Sequence, residues 1–161
     1  MIVILMGVSG SGKTTVGELL SAVTGLPFYD GDDFHPSANI QKMSSGTPLT
    51  DTDRIGWIDA IAEHLNSKPD GSAILACSAL SKVIRQRLVD KLRQPCRFVF
   101  LHGSKELISK RLQSREGHFM KEDMLHSQFE ALQIPDDKTL SIDIEKSPEE
   151  ITQKILTAIQ F

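Results

Sequence analysis

Residues 7–14 read Gly-Val-Ser-Gly-Ser-Gly-Lys-Thr, directly after the apolar run Met-Ile-Val-Ile-Leu-Met of residues 1–6. The eight residues match G-x-x-x-x-G-K-[ST] at every fixed position. Glycines let the backbone wrap a phosphate chain without side-chain clashes. The loop amides and the N-terminus of a following helix supply donors and partial positive charge. Lys13 would reach the β- and γ-phosphates, and the Thr14 hydroxyl would hold Mg²⁺. A six-residue apolar run before the loop reads as a buried strand, and helical periodicity begins at Lys13. The expected ATP-binding residues are therefore Gly7, Val8, Ser9, Gly10, Ser11, Gly12, Lys13, Thr14 and the adjoining Thr15.

Outward from this loop, apolar runs alternate with helical segments, the pattern of an α/β fold with a largely parallel sheet. Strands are predicted at 2–6, 27–30, 73–77, 97–101 and 140–144. Helices are predicted at 13–23, 34–43, 51–65, 81–92 and 104–115, and in a last segment opened by Ser147-Pro148-Glu149-Glu150. That opening offers an N-cap, a proline at the first helical position and a capping-box glutamate. Two stretches exceed a minimal strand–helix repeat, about 31–65 and about 116–138. Insertions of this kind in an α/β scaffold carry substrate sites or closing lids.

The 161 residues suit one domain of ordinary size. Hydrophobic residues at 40% and charged residues at 24% make a globular composition. A net charge of −3 argues against a basic face for nucleic acid. The first apolar run ends at Gly7, with no basic residue before it and no 18-residue apolar stretch elsewhere. A secretory leader or spanning helix is not supported, so no membrane partner and a cytoplasmic location are expected. Cys77 and Cys96 lack metal-ligand spacing and are expected to be reduced thiols.

A GTPase would carry N-K-x-D, which is absent. Asp53-Arg54-Ile55-Gly56 spells D-x-x-G, but no apolar strand precedes it. What remains is a small phosphotransferase, in which a second substrate meets the γ-phosphate. The second predicted strand ends in Tyr29-Asp30-Gly31-Asp32-Asp33, where ligands of open α/β sheets sit. One carboxylate there can orient Mg²⁺ and another can accept the acceptor-hydroxyl proton. A solvated Asp-Gly turn is the alternative. Arg111 and Arg115 share a helical face before the second insertion. They suit stacking on a base or clamping phosphate oxygens, or simply an ordinary basic helix end.

The chain resembles the gluconokinase family of P-loop sugar-acid kinases, related in fold to shikimate and adenylate kinases. The resemblance rests on GVSGSGKT, DGDDFHPSANIQKMSSGTPLTDTDR (30–54), CSALSKVIR (77–85), RLQSREGHFM (111–120) and QFEALQIP (128–135). It implies transfer of the ATP γ-phosphate to the 6-hydroxyl of D-gluconate. It also implies five parallel strands in the order 2-3-1-4-5, a helical acceptor region at about 31–65 and a lid at about 116–128. Bacterial members suggest a homodimer. By similarity, Asp30 lies nearer the metal, with Thr14, and Asp32 nearer the acceptor hydroxyl, with Lys13 and Arg115 serving the transfer and Arg111 the nucleotide. Asp33, where some relatives have an apolar residue, leaves a second acid beside the site. Gluconate is an anion with five hydroxyls, so its site needs a cation and several polar groups. His35, Arg54, Ser78, Lys82, Arg85 and the lid residue His118 are the candidates beside Asp32. Arg54 has a competing reading as an ion pair with Asp51 or Asp53, and His35 as a solvated helix start. The rival functions are kinases of shikimate or a nucleoside monophosphate, and a non-catalytic nucleotide-binding module.

Overall fold

The computed structural model describes residues 1–69, 71–114 and 122–160. Its strands are β1 (Ile2–Met6), β2 (Phe28–Asp30), β3 (Ala73–Ala76), β4 (Cys96–His102) and β5 (Leu140–Asp143). They pair in parallel in the order β2-β3-β1-β4-β5, the order the resemblance implies. β1 is central, and every one of its residues is buried. Helices cover both faces, so both sets of alternating side chains must be apolar, which explains the unbroken run of residues 2–6.

The helices are α1 (Lys13–Thr24), α2 (Ser37–Ser44), α3 (Asp51–Asn66), α4 (Lys82–Lys91), α5 (Lys105–Gln113), α6 (Glu122–Ala131) and α7 (Pro148–Ala158). Val3 and Leu5 point to one face, among Val16, Leu20, Ile108 and Ile155. Ile2, Ile4 and Met6 point to the other, among Trp57, Ile61, Ile84 and Leu88 of α3 and α4. The capping box predicted for α7 forms in full: Ser147 Oγ accepts from Glu150 N–H at 3.2 Å, and Glu150 Oε2 accepts from Ser147 N–H at 2.9 Å. Among the described residues no helix is long and apolar enough to cross a membrane.

Two predicted elements differ. The helix expected over 34–43 is split into a 3₁₀ turn at Gly31–Phe34 and α2. Pro36 disfavours helical dihedrals at the residue before it, and His35 is extended at φ −65°, ψ 131°. The second insertion contains a helix, α6, that sequence periodicity did not indicate. The helix expected to reach residue 115 is assigned as Lys105–Gln113, with Ser104 Oγ capping the Leu107 N–H.

Candidate active site

The P-loop joins β1 to α1 and lies at the carboxyl end of the central strand. Gly7 is required by close approach, since a Cβ there would stand 2.5 Å from Leu101 O. Gly10 has φ +80°, and a Cβ there would meet Leu112 Cγ at 2.9 Å. α5 therefore packs directly on the back of the loop and fixes its curve. Lys13 Nζ donates to Gly7 O at 3.1 Å and Val8 O at 3.0 Å, so the ammonium lies across the cradle. Ser11 Oγ is buried and has no hydrogen-bond partner among the described residues. A buried orphan hydroxyl beside a lysine and a helix N-terminus fits a phosphate chain.

The carboxylate pair sits beside this cradle, in the loop that follows β2. Asp30 is held at both oxygens: Oδ2 accepts from Thr14 Oγ1 at 2.9 Å, and Oδ1 accepts from Asp32 N–H at 3.0 Å. One hydroxyl and one carboxylate form a hard oxygen set too small for a cation alone. It fits Mg²⁺ that takes its other ligands from nucleotide phosphates and water. Asp32 faces outward, with its side chain 84% exposed. It stands at the mouth of a concave cleft, and partial desolvation, then Asp30, raises its pKa, while Lys13 and His35 pull it down. The two acids thus have different environments, one locked beside Thr14 and one open to a second substrate.

α3 holds the loop from behind. Trp57 Nε1 donates to Gly31 O at 2.6 Å, between the two acids. Its ring stacks on His35, with centroids 4.3 Å apart and planes 14° apart. Two turns further on, His64 packs edge-on against Tyr29 and lies against Phe34. His35 Nε2 is 3.8 Å from Asp32 Oδ1. Asn39 Nδ2 donates to Asp53 O at 3.0 Å and stands 3.3 Å from His35 Nδ1. The amide orientation makes Nδ1 an acceptor, which leaves the imidazole proton on Nε2, toward Asp32. Burial, opposed by Asp32, lowers the His35 pKa and favours this neutral form.

A cleft of about 780 Å³, solvent at its mouth included, brings Ser9, Lys13, Asp32, His35, Arg54 and Ser78 together. Arg54 lies 3.5 Å from Asp51 and also lines the cleft. Two expected substrate residues fall elsewhere. Arg85 is buried and donates through Nη1 to Ala79 O (2.9 Å) and Leu80 O (3.0 Å), and through Nη2 to Gln133 O (2.9 Å). It braces the loop after β3, where Ala79 adopts φ +43°, a conformation that non-glycine residues rarely hold. The Lys82 side chain is exposed at the start of α4, outside the cleft lining. Arg111 is partly buried and donates to Ile144 O just beyond β5. Thr15 is exposed on the first turn of α1. Arg115 and His118 lie outside the described residues.

Trp57 is at once a core residue and a wall of the cleft, and its apolar ring reads from sequence as core or hinge alone. The sequence alone misses Leu49, Met124, Ser127 and Gln128, which also line the cleft. The quoted block QFEALQIP contains Gln128, but only its long-range contact shows what it faces.

The protein-family model described as shikimate kinase matches residues 9–160. A probable gluconokinase of Xenopus tropicalis is 42% identical, over 96% of this chain and 91% of that protein. The thermosensitive gluconokinase of Escherichia coli K12 is 40% identical, over 97% and 86% respectively. The chain belongs to the gluconokinase family. A solved gluconokinase from Sinorhizobium meliloti 1021 superposes with a TM-score of 0.87 at 41% identity, covering 96% of this chain and 89% of that one. Within the gluconokinase family, then, the P-loop, the Asp30–Phe34 loop and the cleft between them belong to a kinase fold.

Proposed function

We propose that this chain transfers the γ-phosphoryl group of ATP to the 6-hydroxyl of D-gluconate. The observation that carries the reading is one cleft lined by the P-loop lysine, an exposed carboxylate and a second cation, Arg54. A nucleotide-binding switch has no need of an acceptor cleft with its own acid and base. The names of relatives about 40% identical over nearly the whole chain supply the acceptor.

Each residue has a role in this reading. The P-loop amides not already engaged within the protein, with Lys13, hold the phosphates, and Lys13 neutralises charge on the transferring group. Thr14 and Asp30 hold Mg²⁺, which supplies charge neutralisation across the phosphates. Asp32 accepts a hydrogen bond from the 6-hydroxyl and orients it for in-line attack. Its raised pKa suits a proton acceptor better than an ordinary surface carboxylate. His35, with its proton on Nε2, steadies Asp32 or donates to a sugar oxygen, Ser78 adds a hydroxyl, and Arg54 anchors the gluconate carboxylate. Arg111 serves the nucleotide, and Arg115 and His118 serve closure from a lid at about 116–128. One kinase domain working in the cytoplasm, where ATP is supplied, completes the proposal.

The test is a coupled ADP-release assay with gluconate, shikimate, AMP and other sugar acids as acceptors. Gluconate-dependent ADP release, at a kcat/KM at least about tenfold above that for each other acceptor, is the expected result. A higher kcat/KM for shikimate or AMP refutes the acceptor assignment. No acceptor-stimulated turnover at all favours the non-catalytic module.

A further inference from the structure

The amide of Ser9, third residue of the P-loop, already has an acceptor in this fold. It donates to Gln128 Oε1 at 2.7 Å, across 119 residues of chain. Gln128 lies on α6 and lines the cleft together with Met124 and Ser127. Asp32 follows β2, on one side of β1 in the sheet order, whereas α6 packs on α5, which follows β4 on the other side. Gln128 and Asp32 therefore enter one cleft from the two sides of the P-loop.

The hydrogen bond settles the orientation of the carboxamide. Ser9 N–H is a donor, so the oxygen must face it and Nε2 must turn away. Nε2 has no hydrogen-bond partner among the described residues. Two N–H donors are thus carried by a side chain whose other end is pinned to the phosphate loop. In phosphoryl transfer the charge spreads over three equatorial oxygens, and donors fixed beforehand stabilise it most. A neutral donor adds to Lys13 without adding a charge to be screened or paired.

We propose that Gln128 is a catalytic residue whose Nε2 donates to the transferring phosphoryl group while Ser9 holds its Oε1. The inference rests on the phosphotransfer reading above. The competing role is a structural tie between α6 and the loop. Two variants separate them: Gln128→Glu keeps an acceptor for Ser9 but has no donors, and Gln128→Met removes both at similar length.

Three readouts are taken on wild type and both variants. ATP hydrolysis without acceptor reports transfer to water, whatever the natural acceptor is. MgADP affinity reports the loop without a transferring group. The ¹⁵N–¹H resonance of Ser9 reports the anchoring bond. Both variants should lose at least about tenfold in hydrolysis and in kcat for gluconate, towards the range for one preorganised donor. KM for gluconate should change less than kcat, and MgADP affinity should stay within about threefold in Gln128→Met, whereas Gln128→Glu weakens it further by placing a charge beside the phosphate loop. The Ser9 resonance should move in Gln128→Met and less in Gln128→Glu. Wild-type rates in either variant overturn the proposal. So does a loss of MgADP affinity in Gln128→Met as large as its loss of rate, which marks a structural tie. A Ser9 resonance unmoved in Gln128→Met removes the anchoring on which the proposal stands. If wild type transfers phosphate to water but not to gluconate, the acceptor assignment fails, and the hydrolysis arm still decides on Gln128.

Discussion

Replacing Trp57 with Phe tests how the carboxylate loop is held. The indole is 1% exposed, donates to Gly31 O at 2.6 Å and stacks on His35. Phe keeps an aromatic ring but cannot donate, and loss of that hydrogen bond removes about 0.5–1.5 kcal/mol. Deleting about three ring atoms from a packed site adds on the order of 1 kcal/mol for transfer and void. Together these destabilise the fold by about 1.5–2.5 kcal/mol. The lost bond is to the residue between Asp30 and Asp32, so the loss should also appear in the chemistry. A misplacement of about 1 Å at such a site lowers rate by up to about a hundredfold, and kcat should fall by at least tenfold. MgADP affinity, set by the P-loop, should change little. Trp57 is the single tryptophan, so unfolding in urea is followed by far-UV circular dichroism rather than fluorescence. The slope with denaturant should match wild type, which licenses reading the midpoint as stability. A destabilisation under about 0.5 kcal/mol together with unchanged kcat refutes the claim that α3 positions the acids.

Other expectations follow from the same contacts. Lys13→Ala should lower turnover by at least about a hundredfold in a correctly folded protein, on the scale of one preorganised donor, as steady-state kinetics would read. Asp30→Asn should raise the Mg²⁺ concentration needed for half-maximal rate, whereas Asp32→Asn should abolish turnover without that shift. Rates titrated with Mg²⁺ check the pair, and the opposite pattern reverses the two roles. The raised pKa of Asp32 moves the acid limb of the kcat/KM profile, which reports the free enzyme, above that of an ordinary aspartate. A native pKa above the unfolded one gives stability below the unfolded value that is lost as pH rises through the native value. At neutral pH, Asp32→Asn should therefore leave Tm at or slightly above the wild-type value, since the side chain is 84% exposed, while it abolishes turnover, and a clearly lower Tm by calorimetry contradicts the sign. Gly17→Val should destabilise strongly, because even a Cβ there would overlap the Phe28 ring. Shortening the ring in the double variant Gly17→Val/Phe28→Ala should recover part of the lost Tm, and no recovery would place the clash elsewhere.

The P-loop was legible because its function is written in eight consecutive residues whose backbone needs are local. The same holds for the cap at Ser147–Glu150, where both partners lie three residues apart. The first strand was legible from its apolar run, since burial on two faces leaves no room for alternation. α6 was not, because the apolar stripe of Leu125, Phe129 and Leu132 is short, and among the described residues of the helix only Leu125 is fully buried. Arg85 was misplaced for a different reason. A sequence shows that a guanidinium exists, but not that two distant segments turn three backbone carbonyls toward it. Gln128 and Trp57 act through bonds to Ser9 and Gly31, 119 and 26 residues away, and no short-range pattern encodes either.

The position of β1 in the sheet has a consequence for biosynthesis. Its partners are Ala73–Ala76 on one side and Cys96–His102 on the other, so Ile2 is paired with both Ala73 and Cys96. Parallel pairing at such separation closes long loops before any contact rewards the closure, which makes folding slow. β1 is therefore an unpaired apolar ribbon until Ala73–Ala76 have followed it out of the ribosome, and it is paired on both sides only after Cys96–His102. The phosphate loop that hangs from its end takes its final curve only when Leu112 of α5 has arrived behind Gly10. Capture on immobilised nucleotide should thus be a property of full-length nascent chains, and ribosome-bound chains stalled with only residues 1–95 exposed should pass through the column.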